Sequence, residues 1–187
     1  MKNLLRNFTL VVISFLAFSC GEEENKNLPS NSIAKIIEVT PEFSSLKEAL
    51  DITGLTSTFE GSGDFTVFAP TNVAFDTVLG GLTVEEYDTA NPGVLETVLK
   101  YHVLGARVLS TDLTDGQEAA TLQGQNITVD LVPNTYFPDF DAELGDYEET
   151  SIYINYEEID LARVFARDVK CSNGIIHVID HVLRPSS

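Results

Sequence analysis

Residues 173–185, NGIIHVIDHVLRP, constrain the fold of this chain more than any other stretch. Read as a strand, the run places Ile175, His177, Ile179, His181 and Leu183 on one side and Ile176, Val178, Asp180 and Val182 on the other. Both sides are largely apolar, a pattern that belongs in the middle of a sheet covered on each face. Its polar members, His177, Asp180 and His181, can enter such an interior only where hydrogen-bond partners await them.

Two upstream strings supply further elements. Residues 65–75, FTVFAPTNVAF, read as a β-branched and aromatic strand stopped by Pro70, which cannot continue a central ladder. Thr71 or Asn72 then serves as N-cap of a helix with Phe75, Val78 and Leu79 facing inward. A later helix from Asn91 carries Val94, Leu95, Val98 and Leu99 as its apolar stripe, which Tyr101 and His102 extend at i+3 and i+4 spacing. In order along the chain, these three strings resemble the signatures of the fasciclin domain, an extracellular adhesion and interaction module. The resemblance spans residues 65–185. It implies an α+β fold, a compact β-wedge of two packed sheets flanked by helices, acting by surface recognition. It places structural weight on Thr71, Asn72, Asn173, Gly174, His177 and Asp180, and makes Tyr101 and His102 the candidates for partner contact. Asn72 stands where the family often has Asp, and both residues cap helices.

The order of elements is consistent with that class. Ser32 caps a helix through Val39, and Pro41 opens another that ends near Gly54. A strand at 64–69, the helix from Asn72, a shorter helical piece from Thr83 and the helix from Asn91 follow. Short β-like runs then appear at 103–109, 118–122, 125–132, 151–155, 163–170 and 174–183. Helices first and strands later read as α+β. The domain is expected over residues 32–185.

The N-terminal residues read as targeting. Lys2 and Arg6 precede an apolar core at 10–18 that is too short to span a bilayer as a stop-transfer helix, making residues 1–19 a signal peptide. Ser19 before Cys20 resembles a bacterial lipoprotein cleavage site, so Cys20 is the expected lipidation point. Residues 20–31, with three consecutive glutamates, form an acidic tether. The expected location is therefore the bacterial outer membrane or cell surface, with the membrane engaged through the lipid anchor.

Charge and cysteine content narrow the function classes. The whole chain carries −18, and loss of residues 1–19 leaves 9 basic against 29 acidic residues. Such a surface repels nucleic acid, which is excluded as a partner. With Cys20 lipidated, Cys171 stands alone, and buried packing is its expected role.

Residues 133–150 form a long acidic loop insertion holding Tyr136, Phe137, Phe140 and Tyr147 among six acidic residues. Hairpin connections usually run ~2–5 residues, and much longer ones tend to carry function. Aromatics beside acids suit a partner or stacking on sugar rings, so the four are candidate ligand contacts. Calcium ligation by the alternating acids lacks the EF-hand spacing.

Catalytic patterns are weak by comparison. His177 and His181 lie four apart, which on a strand separates them by ~13 Å, too far for one metal. Ser62 lies in Gly-Ser-Gly ahead of a strand, unlike the nucleophile elbow, and neither a phosphate-binding glycine loop nor a Cys-x-x-Cys pair occurs. The expectation is a non-enzymatic module without metal or cofactor that binds surface proteins, extracellular matrix or polysaccharide. The alternative is a glycan-binding module using the 133–150 loop.

Overall fold

The computed structural model describes residues 31–133, 150–155 and 161–186. Among these residues six α-helices precede most of the strands: α1 (Ile33–Val39), α2 (Ser44–Ile52), α3 (Thr56–Glu60), α4 (Asn72–Leu79), α5 (Val84–Ala90) and α6 (Val94–Tyr101). Seven strands are present among the described residues: β1 (Phe65–Pro70), β2 (Val103–Leu104), β3 (Gln117–Ala120), β4 (Asn126–Pro133), β5 (Thr150–Ile154), β6 (Ala162–Cys171) and β7 (Gly174–Ile179).

Local chemistry sets the helix boundaries. The Ser32 hydroxyl accepts from Lys35 N at 3.2 Å, and Thr71 accepts from Ala74 N at 3.4 Å, each satisfying an otherwise unpaired N–H of a first turn. Thr83 and Glu86 form a reciprocal capping box at the start of α5. Gly80 ends α4 with φ of 61°, a left-handed conformation that costs glycine little.

The strands are hydrogen-bonded in the order β2-β1-β7-β6-β5-β4-β3. This is one continuous sheet, where the sequence reading expects two packed sheets. It curls until its ends meet through a bridge between Leu104 and Thr121, reinforced by Leu122 N donating to Val103 O at 2.8 Å. Curvature lets the two halves face each other without breaking the ladder. Only β1 and β7 pair in parallel; all other neighbours are antiparallel.

The two-sided burial expected of the last strand is realised. Ile176 and Val178 join Val67 and Ala69 of β1 against Ile33, Ile37, Leu50 and Phe75 of the helical layer. Ile179 instead joins Phe68, Ile127, Val129, Ile152 and Ile154 inside the curled sheet. Burial of each such large apolar side chain contributes about 1.5–3 kcal/mol relative to exposure. The strand ends at Ile179, four residues earlier than the pattern suggests, but Val182 and Leu183 remain buried at 5% and 0% exposure.

The tight β6–β7 connection centres on Ser172 and Asn173, with Gly174 already paired to Cys171. Neither Asn173 nor Gly174 has positive φ, so the glycine is not there for left-handed backbone. Space is the reason. A Cβ on Gly174 would lie 2.2 Å from the backbone oxygen of Phe65 and 2.6 Å from Ile33 Cδ1. Because that oxygen belongs to a paired strand, it cannot easily retreat. Gly174→Ala is expected to destabilise the protein by about 3 kcal/mol or more; a denaturant midpoint within error of wild type would contradict the close-packing account.

Candidate functional site

The motif residues form a set of internal connectors, built from elements far apart in sequence. Asn173 is 3% exposed. Its Oδ1 accepts from Ile33 N at 2.9 Å, and its Nδ2 donates to the Phe59 and Gly61 carbonyls, each at 2.8 Å. The start of α1 and the end of α3 thus close on one side chain. Its backbone oxygen also accepts from Phe65 N at 3.1 Å.

His102 ends α6 at 2% exposure. Its Nε2 accepts from Leu183 N at 2.9 Å, which leaves Nδ1 to donate to Val98 O at 2.7 Å. The ring is therefore neutral and carries its proton on Nδ1. Burial pushes its pKa down to about 4, only partly offset by the Val98 carbonyl. Tyr101, at 4% exposure, donates its hydroxyl to Asn126 O at 3.0 Å and accepts from Asn155 Nδ2 at 3.1 Å. The sequence reading makes these two the contact candidates. The structure instead turns both side chains inward, where they tie α6 to β4, to Asn155 after β5 and to the C-terminal segment.

His177 is fully buried, and burial lowers its pKa. Asp168 N donates to its Nδ1 at 3.3 Å, while its Nε2 donates to Val108 O at 3.1 Å. The proton thus sits on the opposite nitrogen from that in His102. Asp168 lies where β6 carries a register irregularity, and has φ of 60°. Its carboxylate accepts from Ser110 N at 2.7 Å and from the Ser110 hydroxyl. Burial works to raise its pKa, but these hydrogen bonds and the nearby His177 and Arg167 bring it below the usual carboxylate value.

At one motif position the structure differs from expectation, and at another it decides between two expected caps. Asp180 was expected as a buried acceptor, yet its side chain is 40% exposed because the strand has already ended. It accepts from Arg163 N and from His181 Nδ1, both at 2.8 Å. Asn72 is not the cap, since Thr71 holds that place. Asn72 instead accepts from Ser45 N at 3.0 Å and donates to Pro41 O at 2.9 Å, joining α4 to the start of α2. An aspartate could make only the first of these bonds. Cys171 is buried as expected, and burial pushes its thiol up to about 11 despite the neighbouring Arg107. Cys20, Tyr136, Phe137, Phe140 and Tyr147 lie outside the described residues.

Sequence reasoning missed several connectors. Arg107 donates through Nη1 to the Cys171 and Gly174 carbonyls at 3.2 Å each, through Nη2 to Ser172 O at 3.1 Å, and through Nε to Asp64 at 3.2 Å. Thr66 donates to Ala106 O at 2.6 Å and accepts from Val108 N at 2.9 Å. Neither residue sits in a local pattern that advertises a partner so distant in sequence.

These environments predict the pH response. The unfolded chain binds a proton at His102 near pH 6.5, whereas the folded chain resists until about pH 4. The associated stability is complete above pH 6.5 and is lost as pH falls toward 4, amounting to roughly 3 kcal/mol. His177 works in the same direction. His102→Gln should flatten the dependence of unfolding free energy between pH 6.5 and 4; an unaltered slope would contradict the assignment. Separately, Asn72→Asp should lower stability at pH 7 by about 1–2 kcal/mol, read from equilibrium denaturation, because it places a carboxylate against the Pro41 carbonyl.

Comparison with known proteins agrees with the motif pattern. The Fasciclin domain model matches residues 41–185. Human stabilin-1 is 30% identical over 158 residues, covering 84% of this chain and 5% of that protein. Human periostin is 31% identical over 156 residues, covering 83% of this chain and 16% of that protein. The Synechocystis protein sll1483 is 31% identical over 159 residues, with 83% and 76% covered. This chain thus spans a small part of the two human relatives and most of the cyanobacterial one. A solved FAS1 domain pair from the insect cell adhesion molecule Fasciclin I aligns with a TM-score of 0.45 at 18% identity, covering 73% of this chain and 40% of that one. The matched family model and the relative of similar length together establish that the chain belongs to the fasciclin domain family.

Proposed function

We propose that this protein is a non-catalytic adhesion or interaction module that presents a rigid surface to protein or matrix partners. The observation that carries the reading is the state of its histidine motifs. His102 and His177 are 2% and 0% exposed, and both nitrogens of each ring are held by backbone groups. A general base must reach a substrate proton, and these rings face only the protein interior. They stabilise the scaffold, and recognition falls to the outer surface. Membership of the fasciclin family supports this assignment.

One exposed apolar feature suits a contact. Phe165 lies in β6 between Val164 and Ala166, whose partners on β7 are the adjacent residues Ile179 and Val178. It is the extra residue of a β-bulge and is 51% exposed. Bulges re-aim side chains, and aromatic residues are enriched in the centres of protein interfaces. Phe165→Ser should weaken attachment of the intact protein to envelope or matrix preparations at least about tenfold without lowering the melting temperature, the scale of an aromatic interface anchor. Unchanged attachment would remove Phe165 from the contact surface.

The export reading belongs to the same proposal. Residues 1–19 direct secretion, Cys20 carries the lipid, and residues 20–31 hold the domain of residues 32–185 away from a bacterial outer membrane. Cys20→Ser is expected to move the protein from the membrane fraction to the soluble one, and continued sedimentation with membranes would contradict the anchor. The glycan-binding alternative rests on Tyr136, Phe137, Phe140 and Tyr147 in the 133–150 loop. Deleting residues 134–149 would abolish polysaccharide retention if that alternative holds and leave it intact otherwise.

A further inference from the structure

Between β2 and β3 the chain leaves the sheet, and residues 105–112 are bonded to side chains of β1, β6 and β7. Buried Leu104 and Leu113, at 3% and 6% exposure, bound this segment. Within it, Gly105, Ala106, Thr111 and Asp112 are exposed and residues 107–110 are half-buried; none is buried. Polar side chains fasten it down. Thr66 holds Ala106 O and Val108 N. His177 donates to Val108 O. Asp168 grips Ser110 through both its backbone N–H and its hydroxyl. Arg107 reaches outward from the segment to the carbonyls of Cys171, Ser172 and Gly174.

We propose that residues 105–112 form a strap that lifts as a unit, hinged at Leu104 and Leu113, while the sheet and the helical layer stay folded. Lifting exchanges hydrogen bonds within the protein for hydrogen bonds to water, and each such exchange has a small net cost. The strap's one side chain packed against the inner apolar cluster is the half-buried Val108, and no strap residue is fully buried, so the apolar surface it exposes, the main cost of opening a core element, is limited. Segments with few buried apolar contacts are the ones that open below the global unfolding free energy. Beneath the strap lie Thr66 and His177, both at 0% exposure and both polar, so water can satisfy what the strap releases. The raised strap would uncover a polar end of the sheet, lined by these two side chains and the carbonyls of the β6–β7 turn. This goes beyond the adhesion reading and does not depend on which partner is bound.

Native-state hydrogen exchange on the intact protein, resolved by residue with NMR, tests the strap. The informative amides are Val108 and Ser110, held by Thr66 and Asp168, against Phe68, whose N–H donates to His102 O at 2.9 Å. After correction for intrinsic rates, Val108 and Ser110 are expected to exchange at least about tenfold faster than Phe68, with little dependence on denaturant, as local openings do. Smaller ratios, or a denaturant dependence matching that of Phe68, would overturn the strap. Asp168→Gly sharpens the result, because glycine accepts the positive φ and keeps the N–H that bonds His177, so the hydrogen bonds lost are those to Ser110. That variant should accelerate Val108 and Ser110 by roughly tenfold or more, the scale of a lost charge-assisted bond, and leave Phe68 unchanged. Equal acceleration of all three amides would overturn independent opening. If the variant does not fold, the wild-type ratio and its denaturant dependence decide alone.

Discussion

A single buried amide joins the layers of this fold. The Asn173 side chain bonds the first N–H of α1 and the last carbonyls around α3, while its own backbone oxygen receives the N–H that begins β1. An amide is suited to this place because it both accepts and donates, and at full burial each unmade bond would cost about 1–3 kcal/mol. Neither a carboxylate nor an apolar residue could satisfy both helix ends. The adjacent glycine serves the same junction sterically, since its missing Cβ is what lets β1 and α1 come close enough to be bonded.

The same economy of means recurs at the other motif positions. His102 joins a helix end to the segment beyond β7, and His177 joins β6 and β7 to the chain after β2. Each ring donates through one nitrogen and accepts through the other, with the protonated nitrogen reversed between the two. Burial keeps both neutral, which is the state in which a histidine can bridge a donor and an acceptor. Polar residues inside this protein therefore specify which elements meet, while the apolar clusters on either side of β1 and β7 supply the bulk of the stabilisation.

Local pattern made the elements legible and left their meeting points hidden. Ser32, Thr71 and Thr83 mark helix starts because a hydroxyl at an N-cap acts within three residues. The alternation of residues 174–179 correctly sorted Ile176 and Val178 from Ile179 because side-chain direction in a strand is a local property. Arg107, Thr66, Asp168 and Asn155 were not legible, since the groups that their side chains bond stand 27 to 67 residues away and no short-range rule couples them. Tyr101 illustrates the intermediate case. Its helical spacing showed that it lies on the inner stripe, but only the fold shows that its hydroxyl is met by Asn126 and Asn155. The curl of one sheet into a near-closed form also escaped the sequence, because the Leu104–Thr121 bridge is a property of accumulated curvature.

The parallel pairing of β1 with β7 has a consequence for how the molecule is made. β1 is translated early, yet one of its two neighbours, and the strand that links it to the rest of the sheet, is the last strand among those described. A chain emerging from a ribosome with its N-terminus leading can pair β3 through β6 in order, but cannot join β1 to them before β7 arrives. The helical layer and β1 must wait, with their apolar faces unmet, until the final strand arrives. Closing so long a loop makes the pairing slow relative to local helix formation. Completion of the fold is thus timed by the arrival of its C-terminal strand.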